Sequence, residues 1–541
     1  MSVSLTEVKQ KSSIAQKLAD LLATWGVKLI FGTAGDTILP ILACLGEHPI
    51  RFIQLRNEES AAYAASAYAK LTGELGVVLS HGGPGAGHLV NGLADAMSDS
   101  VPVLAITGQV ESIYLGTGHK QYINLQQLLG AVTIRSENLG SPTSLLTIAA
   151  DLMRTAIAQA GPVHLSIPKD FWQQQVDSAL VKPEPYLTQA SQSSDSVMNQ
   201  ACEWLKELRK PMILVGRGAW QAVADVLALA EKLGAGVVYT LPMVGVMPHH
   251  PLVVGGVGEG GSEAAVELLR HCDGLIKVGA TYWPTSLTSD HKKVLSIDAH
   301  PANISKGIPA DFGVVGEAKS VLSTLLNKLG SIGLEQSWCD QVQQQTVTWQ
   351  RRLEEEVEQA PVSHPGRAIR ILSEYADANT LICLDVGDHV LWFSRFFKGK
   401  GQHVLVSGRW RGMGFSIGAS IAAQLANPDT QVLSIVGDGG FSMLMGDFVS
   451  AVELGLPIIF VIMNNGSYAM EANAMATAGL EPFGVTLQDI RFDQVARACG
   501  GVGYRIKPAD LSATLNEVKG TTKPVLIDLQ VDPTRLPTAH I

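Results

Sequence analysis

The sequence predicts an α/β protein of three domains, each a doubly wound parallel β-sheet with helices on both faces. Short apolar runs such as 76–80 and 432–436 alternate along the chain with stretches of helical spacing. The chain has 541 residues, which is too many for a single hydrophobic core. Repeated strand–helix alternation therefore predicts parallel sheets covered on both faces.

Composition excludes several classes of function. The net charge is −10 and no basic stripe is present, which argues against a nucleic-acid partner. Six cysteines are scattered without a CxxC pair, as is typical of reduced thiols. The N-terminus lacks the apolar core of a signal peptide, and no apolar run reaches the ~18 residues of a membrane span. We therefore expect a soluble, cytoplasmic protein without a membrane partner.

The first block, residues 1–180, alternates helical and strand patterns. Its predicted helices are 14–25, 61–71 and 89–97, and its predicted strands are 27–31, 76–80, 101–107 and 162–167. Residues 176–196 are rich in Ser, Gln and Pro, which predicts a linker to the second block.

The second block, residues 197–330, repeats the pattern, and a polar helical segment at 336–358 separates it from the third block, 360–541. The predicted strands of the second block are 212–215, 274–278 and 294–298. In the third block, strands at 432–436 and 458–463 flank a predicted helix at 443–454.

Two polar motifs end the strands of this last βαβ unit. The first strand is followed by Gly437, Asp438, Gly439 and Gly440, and the second is followed by Asn465. Ligands bind at the carboxyl ends of strands in open α/β sheets. Carboxylate and amide oxygens suit Mg²⁺, and glycines let backbone N–H groups approach a phosphate. A magnesium-bridged diphosphate site is the resulting interpretation, and an ordinary βαβ turn is the alternative.

The spacing of these motifs resembles a family signature. Gly-Asp-Gly, 24 residues and Asn-Asn form the thiamine diphosphate (ThDP) motif of the pyruvate oxidase, acetolactate synthase and 2-oxo-acid decarboxylase family. The resemblance implies that Asp438, the Asn465 side chain and the Ser467 carbonyl hold the metal. It covers nearly the whole chain and implies a pyrimidine-binding domain, a Rossmann-like middle domain and a diphosphate-binding domain, in that order.

The segment from Arg56 resembles the family motif R-H-E-[EQ]-x-A, in which the glutamate hydrogen-bonds the pyrimidine of the cofactor and activates it. The match implies that Glu58 is this catalytic residue, with Asn57 in place of the usual His. The alternative is that Glu58 and Glu59 are helix N-terminal carboxylates that interact with the helix dipole.

Two further segments of the third block resemble cofactor contacts. Gly387, Asp388 and His389 match the D-V-G-x-H loop at the diphosphate, although Asp388 stands where Gln is common. Gly412 and Met413 match the segment whose apolar side chain bends ThDP, and plain core packing is the alternative for Met413.

The same resemblance implies which residues face the substrate. Asp36, His81 and Gln121 in the first block and Glu471 in the third block are the candidate catalytic residues, and Tyr468 falls on a cofactor-site tyrosine. Lys120 replaces a Phe of the pyruvate pocket. It either attracts a substrate with a second negative group or points to solvent.

The middle block leaves open whether the protein binds a flavin. Residues 216–218, 255–261 and 296–301 lie where family members that bind FAD contact it, but glycine turns also have a purely structural use.

The resemblance implies a ThDP- and Mg²⁺-dependent enzyme that decarboxylates a pyruvate-like 2-oxo acid through an enamine, with aldehyde release or carboligation of the acetolactate or acyloin type. An FAD-dependent pyruvate oxidase is the first alternative, and a non-catalytic ThDP-binding protein is a remote one. A homodimer is the minimum functional unit that the family implies, with a homotetramer expected.

Overall fold

The computed structural model describes residues 12–177, 179–183, 193–284, 287 and 292–535. Three six-stranded sheets with alternating helices confirm the predicted fold class, and every pairing within them is parallel. Much of the predicted linker at 176–196 lies outside the described residues.

The first sheet has the strand order β3-β2-β4-β5-β7-β6, and a short antiparallel pair joins β1 to β8. Its strands are β1 Ser12–Ser13, β2 Leu29–Gly32, β3 Arg51–Gln54, β4 Gly76–Ser80, β5 Val103–Gln109, β6 Arg135–Asn138, β7 Pro162–Pro168 and β8 Gln175–Val176. Its helices are α1 Ile14–Thr24, α2 Leu39–Leu45, α3 Glu58–Thr72, α4 Pro84–Ser98, α5 Leu125–Gly130 and α6 Leu145–Gln159. The central strands β4, β5 and β7 are buried along their whole length, as apolar runs in parallel sheets are.

The middle sheet has the order β11-β10-β9-β12-β13-β14. Its strands are β9 Pro211–Val215, β10 Gly236–Tyr239, β11 Val253–Gly256, β12 Gly274–Val278, β13 Lys293–Asp298 and β14 Phe312–Val315. The accompanying helices are α7 Asp195–Lys206, α8 Val223–Leu233, α9 Glu263–His271, α10 Ala318–Lys328 and the long α11 Gln336–Gln359.

The third sheet has the order β16-β15-β17-β18-β20-β19. Its strands are β15 Leu381–Leu384, β16 His403–Val406, β17 Val432–Gly437, β18 Ile459–Asn464, β19 Val502–Ile506 and β20 Val525–Gln530. The helices of this part of the chain are α12 Pro365–Tyr375, α13 Asp388–Phe396, α14 Phe415–Ala426, α15 Asp438–Leu444, α16 Phe448–Glu453, α17 Ala469–Thr477, α18 Phe492–Ala498 and α19 Leu511–Glu517.

The prediction of one continuous helix at 443–454 was wrong, both in where the helix starts and in its continuity. Helix α15 already begins at Asp438, and a 3-10 turn at Met445–Asp447 separates it from α16. The turn positions Asp447, whose carboxylate accepts hydrogen bonds from Arg56 N at 2.6 Å and from Ser450 Oγ at 3.1 Å. A continuous helix would not leave Asp447 in this position.

The chain forms two compact units that are discontinuous in sequence. The first unit consists of 1–188, 405–429 and 440–458, and the second of 189–404, 430–439 and 459–541. Among the described residues, no helix combines the length and the apolar character needed to cross a lipid bilayer.

Candidate active site

Glu58 is the first residue of α3, where the side chain of Asn57 caps the helix by accepting a hydrogen bond from Glu59 N at 2.8 Å. The Glu58 side chain is 13% exposed, and its Oε2 lies 2.8 Å from Nδ1 of His88 on α4. Gly85 permits this position, because a Cβ there would lie 3.1 Å from Oε1 of Glu58. Glu58 is therefore a largely buried carboxylate between two helices, and the Asn that replaces the family His is the helix cap.

Asp36 follows β2 and forms an ion pair with Lys169, which follows β7. The Lys169 Nζ lies 2.8 Å from Oδ1 and 2.7 Å from Oδ2 of Asp36. The hydrogen bond from Lys169 lowers the pKa of Asp36. Asp36 is thus a charged carboxylate that already has a cation as its partner.

His81 directly follows β4, and Thr37 holds its ring. Thr37 N lies 3.2 Å and Thr37 Oγ1 2.8 Å from Nδ1 of His81. A backbone N–H can only donate, so Nδ1 is the acceptor and the neutral imidazole carries its proton on Nε2. This Nε2 lies 3.4 Å from Oε1 of Gln121.

Gln121 has a strained backbone. Its φ of 63° lies in the left-handed region, which costs about 1 kcal/mol or more for a residue other than glycine. Gly83, at the start of α4, allows the close approach, because a Cβ there would lie 2.5 Å from the Gln121 carbonyl oxygen. The fold therefore holds Gln121 beside His81 at some energetic cost, as is common at functional sites.

In the second unit, Asp438 begins α15 directly after β17, and the loop after β18 lies against it. Gly466 N donates to Oδ2 of Asp438 at 3.0 Å, and Ser467 N donates to Oδ1 of Asn465 at 3.0 Å. Burial raises the pKa of Asp438 to about 6, against the lowering effect of backbone hydrogen bonds. The structure thus brings together Asp438, Asn465 and Ser467, the three predicted metal ligands.

These three residues fit Mg²⁺, which needs few protein ligands when waters and phosphates complete its shell. The described residues contain no cluster of three His, Cys, Asp or Glu side chains, so a carboxylate, an amide and a carbonyl are the donors on offer. The neighbouring Asn464 has a different use: its Nδ2 donates to Oδ1 of Asp528 at 2.8 Å and ties β18 to β20.

The predicted diphosphate contacts Gly387, Asp388 and His389 lie at the start of α13. Gly387 precedes the helix with φ 153°, and Asp388 accepts a hydrogen bond from Trp392 Nε1 at 2.7 Å. Asp388 Oδ1 and His389 Nε2 are buried and have no hydrogen-bond partner within the described part of the chain. Buried polar atoms without partners are rare, and a ligand would provide these with partners. The His389 ring also lies close to Gly437, where a Cβ would be 3.3 Å from Nδ1.

Tyr468 and Glu471 lie on the loop and helix that follow the predicted metal ligands. A Cβ on Gly439 would lie 2.5 Å from the Tyr468 ring, so the glycine allows the tyrosine to pack against the start of α15. Glu471 is exposed in the first turn of α17, and its charge contributes to raising the pKa of Asp388. The structure therefore places the predicted Glu471 close to the predicted diphosphate loop.

Gly412 and Met413 precede α14 in the first unit. A Cβ on Gly412 would lie 2.0 Å from the Tyr63 hydroxyl of α3, and Gly412 N donates to Ser407 Oγ at 3.1 Å. Met413 is half-buried, unlike the fully buried Phe415 two residues later. Plain core packing therefore does not account for Met413.

Backbone hydrogen bonds give a structural role to several of the glycines that left flavin binding an open question. Gly216 N bonds Val278 O at 2.9 Å, and Gly218 N bonds Gly279 O at 3.0 Å. Oδ1 of Asp298 accepts hydrogen bonds from His300 N at 2.9 Å and from Asn303 Nδ2 at 3.1 Å.

The loop 255–261 is closed in the same way: Gly261 N bonds Gly258 O at 2.9 Å, and Ser262 N bonds Gly256 O at 2.8 Å. These bonds fold the loop back on itself, so its glycines have a structural role.

Sequence reasoning missed three residues that the structure adds to the candidate site: Thr37, His88 and Lys169. Lys169 could have been found, since it follows the predicted strand 162–167 at the ligand-binding edge of a parallel sheet. Thr37 and His88 carry no local signal, because their partners come from distant parts of the chain.

Comparison with protein families matches all three parts of the chain. The N-terminal TPP binding domain of thiamine pyrophosphate enzymes matches residues 12–128, the central domain 198–325 and the C-terminal TPP binding domain 385–529. Thiamine pyrophosphate is another name for ThDP, and the site residues predicted from the sequence lie within the N-terminal and C-terminal matches.

Several curated relatives are similar over almost their whole length. A putative thiamine pyrophosphate-containing protein YdaP of Bacillus subtilis is 32% identical over 95% of this chain and 91% of its own. A probable acetolactate synthase large subunit of Methanocaldococcus jannaschii is 30% identical over 96% and 92%. The acetolactate synthase isozyme 2 large subunit of Escherichia coli is 30% identical over 96% and 95%. This chain therefore belongs to the thiamine pyrophosphate enzyme family and is a ThDP-dependent enzyme.

Proposed function

We propose that this enzyme uses ThDP and Mg²⁺ to decarboxylate a 2-oxo acid and transfers the remaining acyl fragment to a second carbonyl compound, with aldehyde release as the competing outcome. The observation that carries the proposal is the carboxylate of Glu58, which is largely buried at the start of α3. The names of the relatives, acetolactate synthases in several cases, support transfer to a carbonyl over simple aldehyde release.

The residues of the second unit would hold the diphosphate end. Asp438, the Asn465 amide and the Ser467 carbonyl would bind the metal, and the backbone at Gly439 would approach a phosphate. Gly387 and His389 would lie beside the diphosphate, as the family loop implies, while a carboxylate at Asp388 would need the metal or another cation between it and the phosphates.

When bound, ThDP supplies the carbon nucleophile and the electron sink for loss of CO₂. Glu58 would form the hydrogen bond to N1′ of the pyrimidine ring that the family's glutamate makes, from its largely buried position at the start of α3. His81, with its proton on Nε2, and Gln121 would donate to oxygen atoms of the substrate. Glu471 and Asp36 are the remaining candidates for handling protons after CO₂ has left.

For the family, each ThDP uses the pyrimidine-binding domain of one subunit and the diphosphate-binding domain of another. We accordingly propose a homodimer as the minimum active unit and a homotetramer as the complete assembly. Light scattering of the purified protein measures this directly, and an active monomer would contradict it.

A flavin-dependent oxidase is the alternative function, and backbone packing gives several glycines of the middle domain a structural role without a flavin. A visible absorption spectrum of the purified protein tests this point. A flavin spectrum that pyruvate bleaches in the absence of oxygen would replace the proposed carboligase with an oxidase.

The proposal is tested by Glu58→Gln. We expect ThDP to bind with nearly unchanged affinity by isothermal titration, while CO₂ release from the best 2-oxo acid falls roughly 100-fold or more, because the amide cannot exchange a proton with the cofactor.

Glu59→Gln is the matched control, because Glu59 is the next residue and its Oε1 accepts a hydrogen bond from Asn91 at 2.5 Å. This variant should retain most of the turnover. Near-normal turnover in Glu58→Gln would contradict the role of Glu58.

A further inference from the structure

Charged and polar side chains meet at one edge of the first sheet. Asp36, His81 and Lys169 follow the carboxyl ends of β2, β4 and β7, and Gln121 contacts His81. This is the edge at which parallel sheets bind small molecules.

Within this group, Asp36 and Lys169 neutralise each other. Both carboxylate oxygens lie within 2.8 Å of the Lys169 ammonium, and the side chains are 65% and 37% exposed. Lys120 directly precedes Gln121, whose Oε1 lies 3.4 Å from Nε2 of His81, and its charge is the smallest contribution to the lowered pKa of Asp36. The group of Asp36, Lys169 and Lys120 therefore carries an excess of one positive charge.

Of the neutral members, His81 is the donor, and its Nε2–H has only a long 3.4 Å contact to Oε1 of Gln121. His81 accepts from Thr37 at Nδ1, so its Nε2–H is the atom that it can offer to a ligand. Thr37 is itself fixed, because its Oγ1 accepts a hydrogen bond from Gly82 N at 3.0 Å and its carbonyl accepts one from Trp172 Nε1 at 2.8 Å. An excess cation next to a fixed N–H donor is suited to an organic anion.

The chemistry of decarboxylation determines which anionic group of a substrate this positive charge can bind without slowing the reaction. The carboxylate of a 2-oxo acid loses its charge as CO₂ leaves, so a cation paired with that carboxylate would stabilise the reactant more than the transition state. A cation at the site is compatible with fast decarboxylation when it binds a second anionic group that keeps its charge throughout.

We propose that the substrate is a 2-oxo acid with a second anionic group, a 2-oxo dicarboxylate in chemical class, and that Lys120 binds this second group beside the Asp36–Lys169 pair. The inference deepens the proposed function and rests on it. Lys120 is then a specificity residue, and the alternative in which it points to solvent is an outcome of the test.

The experiment compares matched acids of equal chain length with the ThDP- and Mg²⁺-loaded enzyme. CO₂ release is measured from 2-oxoglutarate against 2-oxopentanoate and from 2-oxoadipate against 2-oxohexanoate, with pyruvate in parallel. We expect a higher kcat/KM for the dicarboxylate in at least one pair. We expect that preference to fall roughly tenfold in Lys120→Met, the scale of a charge-assisted contact, and to weaken in high salt.

Lys519→Met, which changes an exposed lysine of the second unit, is the control and should leave the preference unchanged. Equal or better use of the neutral acid in both pairs overturns the inference, and an unchanged preference in Lys120→Met overturns the role of Lys120. Absence of CO₂ release from every acid, pyruvate included, overturns the proposed function and this inference together.

Discussion

Asp388 is a buried carboxylate whose charge the fold opposes. Burial raises its pKa to about 6, the charge of Glu471 contributes to the rise, and the Trp392 hydrogen bond offsets part of it. His389, the next residue, is neutral, since burial lowers its pKa to about 4. His364 packs on the same Trp392 with ring centroids 4.8 Å apart, and burial lowers its pKa too. Asp388 therefore faces no cation among these neighbours.

A pH-dependent stability follows from this environment. The pKa of Asp388 is higher in the folded protein than its ordinary value of 3.8, so folding binds a proton and the associated stability is lost as pH rises from about 4 through about 6. The shift corresponds to an upper limit of about 3 kcal/mol. We expect Asp388→Asn to stabilise the protein without cofactor increasingly between pH 4.5 and 7.5, as measured by urea midpoints.

Asp340→Asn, at an exposed position of α11, is the control for this series and should give a difference that does not change with pH. A pH-independent difference for Asp388→Asn as well would show that the carboxylate does not titrate as the burial requires.

At the scale of single residues, the sequence predicted site residues where their position depends on the neighbouring segment of chain. Asp438 and Asn465 could be predicted because both follow apolar strands directly, and the structure joins their loops through Gly466. The position of Lys169 after a predicted strand was available from the sequence, but its pairing with Asp36, 133 residues away in the chain, was not. Pairing across such a separation depends on the order of strands in the sheet, which periodicity does not encode.

At the scale of elements, α3 and α14 pack closely through small residues of the first unit. A Cβ on Gly418 of α14 would lie 2.4 Å from the Ser60 carbonyl oxygen of α3. Residues 60–70 of α3 are buried without interruption, which explains why an alanine-rich helix lacks a polar face. The helix axes can approach this closely only while Gly418 has no side chain.

Gly418→Ala should therefore destabilise the protein by about 1–3 kcal/mol, the usual effect of overpacking, since the neighbouring atom is rigid backbone. Gly87→Ala in α4 is the opposite case, because a Cβ there meets nothing within 4 Å. It should stabilise by about 0.5–1 kcal/mol, because alanine loses less backbone entropy than glycine in a helix. Urea unfolding measures the change in free energy of unfolding for both variants. Changes of the same sign would contradict the close packing of α3 against α14.

The helices and strands that periodicity predicted are observed with small shifts apart from one instructive exception, although others, such as β3 and β6, were not predicted. The alanine-rich helix expected at 61–71 is observed as Glu58–Thr72, which places Glu58 on the helix itself. The break at Met445–Asp447 could not be predicted, because its cause is a hydrogen bond from Arg56, 391 residues away.

At the scale of the whole molecule, three parallel sheets could be predicted because each block repeats the strand–helix alternation. The discontinuous composition of the two units could not, because which segments pack together depends on contacts between distant elements such as α3 and α14.

Binding of ThDP with Mg²⁺ should stabilise the whole protein against heat. At a ligand concentration about 100 times Kd, the gain is about 2.7 kcal/mol by mass action. We expect EDTA to abolish the increase in Tm from ThDP and Asp438→Asn to reduce it strongly, because metal and diphosphate share one site. An equal increase in Tm with EDTA would contradict the metal-bridged site.

Because the first unit is discontinuous in sequence, it can be completed only late in the synthesis of the chain. Its last segment ends at residue 458, 270 residues after its first segment ends at residue 188. At about 5–20 residues per second, a ribosome needs roughly 15–50 s to synthesise that interval. Helix α14 ends at residue 426, so for most of this time the alanine-rich surface of α3 has no α14 to pack against and stays exposed on the nascent chain. A ribosome that stalls within this interval would leave a chain that chaperones and proteases can recognise.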